Sequence, residues 1–162
     1  MRKSSLPTDA RLIGVISDTH GLLRPAAVKA LRGSELIIHA GDIGTPQILE
    51  ALHAIAPVIA VRGNNDRGEW ARSLSDTEVV EAGTVTLYVL HNIKELDIDP
   101  VAAGFRAVIS GHSHQPAIAT QRGVLFLNPG SAGPRRFKLP VSVAHLHLHG
   151  HSVNAQVLEL AM

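Results

Sequence analysis

The chain alternates short apolar runs with polar punctuation. "RLIGVIS" (11–17) is a continuous apolar run rich in β-branched residues and bounded by "DTHG", the pattern of a strand covered on both faces. "RPAAVKALRG" (24–33) has proline near its start and glycine at its end, as a short helix does. "ELIIHAGD" (35–42) predicts a second strand. "TPQILEALHAIAP" (45–57) predicts a second helix, with Thr45 placed to cap it and Pro46 at its first position. "VIAVRGNND" (58–66) predicts a third strand and a turn. The first half therefore reads β-α-β-α-β, a parallel sheet with helices packed on it.

The second half is richer in strands. "TEVVEAG" and "TVTLYVLH" pair around a turn at Ala82–Gly83. "DIDPVAAGF" (97–105) predicts a short helix and "AVIS" another strand. "AIATQRGVLFLN" predicts a hairpin around Arg122–Gly123, and "VSVAHLHLHGHSVNAQVLEL" (141–160) a last hairpin turning near Gly150. No repeat or linker interrupts the chain. The expectation is a single mixed α/β (α+β) domain over 1–162, two packed sheets with helices outside, preceded by a flexible tail over 1–10.

Composition narrows the function. At 162 residues, 45% of them hydrophobic, the chain can bury a core, yet its apolar runs are too dispersed for a membrane span. A net charge of +1 gives no electrostatic reason for nucleic-acid binding. Cysteine is absent, which excludes disulfides, thiolate metal sites and a cysteine nucleophile, and fits a reducing, cytoplasmic setting.

The chemistry gathers where strands end. Asp18 and His20 follow the first strand, Gly41 and Asp42 the second, and Gly63, Asn64, Asn65 and Asp66 the third. His91 follows "TVTLYVL", and Gly111, His112 and His114 follow "AVIS". In α/β sheets ligands bind just outside the carboxyl ends of strands. Asp, Asn and His together offer oxygen and nitrogen donors that suit manganese, iron, cobalt, nickel or zinc better than magnesium or calcium. Seven donors exceed the needs of one ion and are about right for two that share a carboxylate. In an extended segment His112 and His114 would point to one side, with Ser113 turned away.

The motif order D-x-H (Asp18, His20), G-D (Gly41, Asp42), G-N-x-D (Gly63, Asn64, Asp66), His91 and G-H-x-H (Gly111 to His114) resembles that of the calcineurin-like metallophosphoesterases. The short chain and "NPGS" at 128–131 resemble the small YfcE-like phosphodiesterase branch. The resemblance implies a four-layer α-β-β-α sandwich. It implies one ion held by Asp18, His20, Asp42 and His114 and a second held by Asp42, Asn64, His91 and His112, manganese foremost. It also implies hydrolysis of a small phosphodiester by a bridging hydroxide, with Asp42, Asn64, His91 and Asp66 at the catalytic centre. The alternatives are a phosphomonoesterase or nucleotide phosphatase on the same centre, or a non-catalytic metal-binding scaffold. No membrane or specific nucleic-acid partner is expected, and a homo-oligomer stays open.

Three departures stand out. Asn65 occupies the position where the phosphoprotein phosphatase branch carries a histidine, and it cannot shuttle a proton. "HNIK" replaces the His-Gly-His of close relatives. Thr45 stands where many members have an aspartate. Among further candidates, Asp66 orients His20 or its own loop, or is simply a turn residue. Asn65, Asn128, Ser131 and Arg135, with Arg136, are candidate substrate contacts. Trp70 stacks on a leaving group, anchors a dimer contact or packs locally. His39 and His53 read as packing residues, and His145, His147 and His149 as the polar face of the last hairpin.

Overall fold

The structure, a computed structural model, describes residues 12–161 and the main chain of 2–6. Among these residues eleven strands form two mixed sheets. The first half follows the predicted alternation: β2 (Leu12–Ile16), α1 (Pro25–Leu31), β3 (Leu36–His39), α2 (Pro46–His53) and β4 (Val58–Ala60). The short helix α3 (Glu69–Arg72) follows. β5 (Thr77–Ala82), β6 (Val85–Leu90), β7 (Ala107–Ile109), β8 (Ala117–Gln121), β9 (Val124–Asn128), β10 (Ser142–His149) and β11 (Ser152–Glu159) complete the second half. Strand β1 (Arg2–Leu6) precedes them all.

One sheet has the order β11-β10-β2-β3-β4, with β2, β3 and β4 parallel. The other runs β1-β5-β6-β7-β9-β8, with β6, β7 and β9 parallel. Strand periodicity decides what each face does. Ile13, Val15, Leu36 and Ile38 of the first sheet face Val80, Leu87, Val89, Ile109 and Leu127 of the second, forming the inter-sheet core. The opposite face of the first sheet, through Ile16, Ile37 and Val143, receives Ala27 and Leu31 of α1 and Ile48 and Leu52 of α2. Gly14 admits α1 closely: a Cβ there would stand 2.7 Å from the Leu31 side chain.

Three expectations need correction. Arg2–Leu6, expected within a flexible tail, forms β1, which pairs in parallel with β5; Met1 and residues 7–10 of that tail lie outside the described residues. The segment 97–105 is not a helix. Asp99 accepts from the Val101 and Ala102 N–H groups and closes a single turn, which Gly104 ends in a left-handed conformation. The outer layer on the second sheet is therefore a loop: Leu96, Ile98 and Phe105 cover Tyr88, Val108 and Val124. Thr45 takes the N-cap position of α2 but makes no side-chain capping bond. Among the described residues no helix is long and apolar enough to cross a membrane.

Candidate metal centre

The carboxyl ends of β2, β3 and β4 in one sheet and of β6 and β7 in the other open onto the same edge. Main-chain bonding carries the β2–β3 pairing past the strands: Asp18 N–H donates to Gly41 O (3.0 Å), His20 N–H to Asp42 O (3.0 Å) and Gly21 N–H to Ile43 O (2.8 Å). Across the sheets, Gly111 N–H donates to His91 O (2.9 Å) and His112 N–H to Asp18 Oδ2 (3.1 Å).

Two carboxylates lie at the middle. Asp18 Oδ1 is 3.4 Å from His114 Nε2, 3.8 Å from His20 Nε2 and 3.9 Å from His91 Nε2. Asp42 Oδ2 is 3.3 Å from His91 Nε2 and 3.7 Å from His20 Nε2. The imidazoles divide into two groups around them. His20 and His114 sit together, ring centroids 5.4 Å apart, while His91 lies 5.1 Å from His112, whose Nδ1 is 3.2 Å from Asn64 Oδ1. All seven predicted donors are thus brought to one place. Five of them, Asp18, His20, Asp42, His112 and His114, have φ between 47° and 70°, a left-handed conformation that costs non-glycine residues energy and concentrates at functional sites. His112 and His114 therefore share the site from a tight loop and not, as expected, from an extended segment; Ser113 is turned away, accepting from Asn128 Nδ2 (3.1 Å).

The calcineurin-like phosphoesterase superfamily domain matches residues 12–151. The chain belongs to that superfamily. A probable metallophosphoesterase of Methanothermobacter thermautotrophicus is 38% identical over 158 residues, covering 91% of each chain. Among solved structures, Chaetomium thermophilum Vps29 superposes with a TM-score of 0.76 at 22% identity, covering 93% of this chain and 97% of its own. A structure described as a novel archaeal phosphodiesterase gives 0.75 at 25% identity, covering 91% and 99%.

The donor set of this phosphoesterase fits divalent cations. Asp18 Oδ1, His20 Nε2, His91 Nε2 and His114 Nδ1 are buried without a hydrogen-bond partner, a state that buried polar atoms rarely keep unless something else satisfies them. Asp18, His20 and His114 form one group of ligand atoms within 4.8 Å of one another, and Asp18, Asp42 and His91 form another. His91 Nδ1 donates to Ala40 O (2.7 Å), which leaves the Nε2 lone pair facing the carboxylates. Burial alone would raise the Asp18 carboxyl. The adjacent His114 imidazole, the Ser17 hydroxyl that donates to Oδ2, and the nearby His91 outweigh it and hold the group below its ordinary value.

Several residues expected to touch substrate support the site from behind. Asn65 donates to Asp42 through both N–H (2.9 Å, to Oδ1) and Nδ2 (3.0 Å, to Oδ2), so its amide is engaged with the carboxylate. Asn128 donates to Gly111 O (2.9 Å) and accepts from Gly130 N–H, holding the loop that carries His112. Ser131 donates to Asp18 O (3.0 Å). Asp66 orients backbone and not His20: it accepts from Ile43, Gly44 and Gly63 N–H at 2.8, 3.0 and 2.9 Å. Arg135 and Arg136 lie exposed beside Phe137, which is 89% exposed. Trp70 packs against the core between the first sheet and its helices. His145 bonds to Ala30 O at the end of α1 (2.7 Å), and among the described residues neither it nor His147 or His149 joins a potential metal group.

His39 does more than the packing expected of it. It is fully buried. Thr19 Oγ1 donates to Ile43 O (2.8 Å), so the same hydroxyl accepts from His39 Nε2–H (3.0 Å); Gly41 N–H donates to His39 Nδ1 (3.1 Å). One neutral imidazole thereby ties the loop of Asp18 and His20 to the loop of Asp42. Burial pushes its pKa down from 6.5 to about 3, against the opposing pull of Asp18. Between those values the unfolded chain binds a proton that the folded chain refuses, so stability falls as pH drops below 6.5, by up to about 1.4 kcal/mol per pH unit for this group. His39→Leu is expected to cost about 2–4 kcal/mol at neutral pH, since it strands the Gly41 N–H and the Thr19 hydroxyl. Its stability should also vary less with pH between about 4 and 6.5 than that of the wild type. Urea unfolding of the metal-free proteins across that range measures both.

Proposed function

We propose that the protein is a metal-dependent phosphodiesterase with two divalent transition cations, manganese foremost. Asp18, His20, Asp42 and His114 hold one and Asp42, Asn64, His91 and His112 the other. The observation that carries this reading is the shared position of Asp42. Its Oδ2 lies within 3.7 Å of His20 on one side and 3.3 Å of His91 on the other, between the two groups of imidazoles. When bound, the cation pair supplies hydroxide at neutral pH and neutralises charge that develops on the phosphoryl oxygens.

The remaining work falls to the chain. Asn65 keeps Asp42 oriented and ionised. Asp66 fixes the backbone of the Asp42 and Asn64 loops through three N–H groups. His39 locks the Asp18 and Asp42 loops together. A histidine at position 65 would protonate a departing alkoxide; an asparagine bonded to Asp42 supplies no proton. Protonation of the leaving group is then weak or falls to water, so departure depends on the leaving group's own acidity. The similarity to Vps29 concerns the fold alone, and the complete donor set favours chemistry over a purely scaffolding role. The absence of cysteine fits a cytoplasmic setting.

Hydrolysis of a phosphodiester series with Mn²⁺ present, paired with the matching monoesters, tests the proposal. Diesters should be turned over in preference to monoesters, and the rate should fall by at least about 10²-fold from nitrophenyl to alkyl leaving groups. Exhaustive chelation should abolish turnover and Mn²⁺ should restore it. A rate indifferent to leaving-group acidity contradicts the role given to Asn65. Turnover that survives chelation contradicts the proposal itself.

A further inference from the structure

A cleft of about 650 Å³ opens beside the carboxylate pair, between the loops that follow β4 and β6. His91, 6% exposed and with Nε2 unpartnered, lines it together with Asn64 and His112, so the cleft is continuous with the proposed phosphate position. Its walls beyond that point have a distinct chemistry. Among the described residues no Phe, Tyr or Trp lines it, which leaves no broad ring face for a nucleobase or aryl group to stack on. Arg62 is committed to Asp76 through Nη2 (2.7 Å) and Nε (3.1 Å), and Asp66 to backbone N–H groups. Arg67 stands on the Asn64 side. On the opposite wall Glu95 and Asp97 are exposed and make no ion pair with the described residues.

This acidic wall arises where the sequence departs from His-Gly-His. Asn92 Oδ1 accepts from Lys94 N–H (3.1 Å) and caps the 3-10 turn Ile93–Glu95. That turn sets Glu95, with Asp97 after it, along the cleft. With Arg62 and Asp76 cancelling and Asp66 held by the backbone, the charges left to meet a ligand are Arg67 on the loop after β4 and two carboxylates on the loop after β6.

We propose that this cleft receives an aliphatic ester arm bearing an ammonium group, with Glu95 and Asp97 as its receiving carboxylates, so that among alkyl phosphodiesters those of amino alcohols are preferred over neutral ones. The inference rests on the phosphodiesterase reading and specifies its substrate class. Exposed ion pairs contribute modestly, so the expected discrimination is about threefold to tenfold in kcat/KM.

The test compares three diesters on the Mn²⁺-loaded protein: glycerophosphoethanolamine, the neutral glycerophosphoglycerol and bis(p-nitrophenyl) phosphate. The wild type should favour the ammonium diester over the neutral one. The ratio should fall to about one in the Glu95→Gln/Asp97→Asn double variant and below one in Glu95→Lys. Hydrolysis of the nitrophenyl diester without an ammonium preference, or a preference that persists in the double variant, overturns this inference alone. Failure to hydrolyse any of the three overturns the phosphodiesterase reading and this inference with it.

Discussion

Asp42→Ala should reduce phosphodiester turnover by about 10³-fold or more at saturating metal while leaving the chain folded. The carboxylate is 3% exposed and, like that of Asp18, it lies beside an imidazole of each group, His20 and His91. Burial alone would raise its pKa. The adjacent His91 imidazole and the two hydrogen bonds from Asn65 overcome that and hold it well below the ordinary carboxylate range. It is therefore ionised wherever the protein is folded at neutral pH, and alanine removes a permanent negative charge from among the imidazoles. The groups it leaves behind, Asn65 N–H and Nδ2, are only partly buried and can turn to water, so the loss should fall on metal affinity and rate more than on stability. Circular dichroism, metal titration and steady-state rates separate the three. Near-normal turnover with saturating Mn²⁺ would contradict the shared role of this residue.

Gly63→Ala should be nearly as damaging, although glycine carries no chemistry. A Cβ at position 63 would collide with Asp42 N and Oδ1. The loop cannot readily yield, because Gly63 N–H is held by Asp66 Oδ2 (2.9 Å), whose other oxygen holds Ile43 and Gly44 N–H. The strain must then displace Asp42. We expect about 1–3 kcal/mol of lost stability and a fall in turnover of about 10²-fold, the cost of a misplacement near about 1 Å. Gly123→Ala is the control. That glycine turns the β8–β9 hairpin with φ 82°, and a methyl group there would meet nothing within 4 Å. Only backbone strain of about 1 kcal/mol is at stake, and turnover should not change. Thermal unfolding and turnover of the two variants side by side measure the contrast.

How far the sequence could be read depended on how local the information was. Strands such as "RLIGVIS" and helices such as "TPQILEALHAIAP" carry their own periodicity and punctuation, and the β-α-β-α-β half emerged from them. The donors were legible because each follows directly on a strand. Pairing of Arg2–Leu6 with β5 was not legible, since its partner lies far along the chain, in the register Arg2↔Glu78. In "DIDPVAAGF", proline and glycine resemble the punctuation of a helix, but Asp99 closes only one turn before Gly104 ends it. Asn65 looked available to substrate because nothing nearby in the sequence engages it; the partner is Asp42, on another loop. His39 looked like packing for the same reason. Its partners, Thr19 and Gly41, reveal a role only when two loops are seen together. The left-handed backbone at five donors is likewise invisible in residue types that seldom adopt it.

Whether Asp18, Asp42 and the imidazoles around them grip two cations can be decided by anomalous scattering at the manganese edge, from crystals of the Mn²⁺-loaded protein. Two peaks joined by Asp42 are expected, one against His20 and His114 and the other against His91, His112 and Asn64. A map with no manganese between Asp18 and Asp42, or with manganese bound only elsewhere on the chain, would refute the paired-cation centre and the hydrolysis built on it.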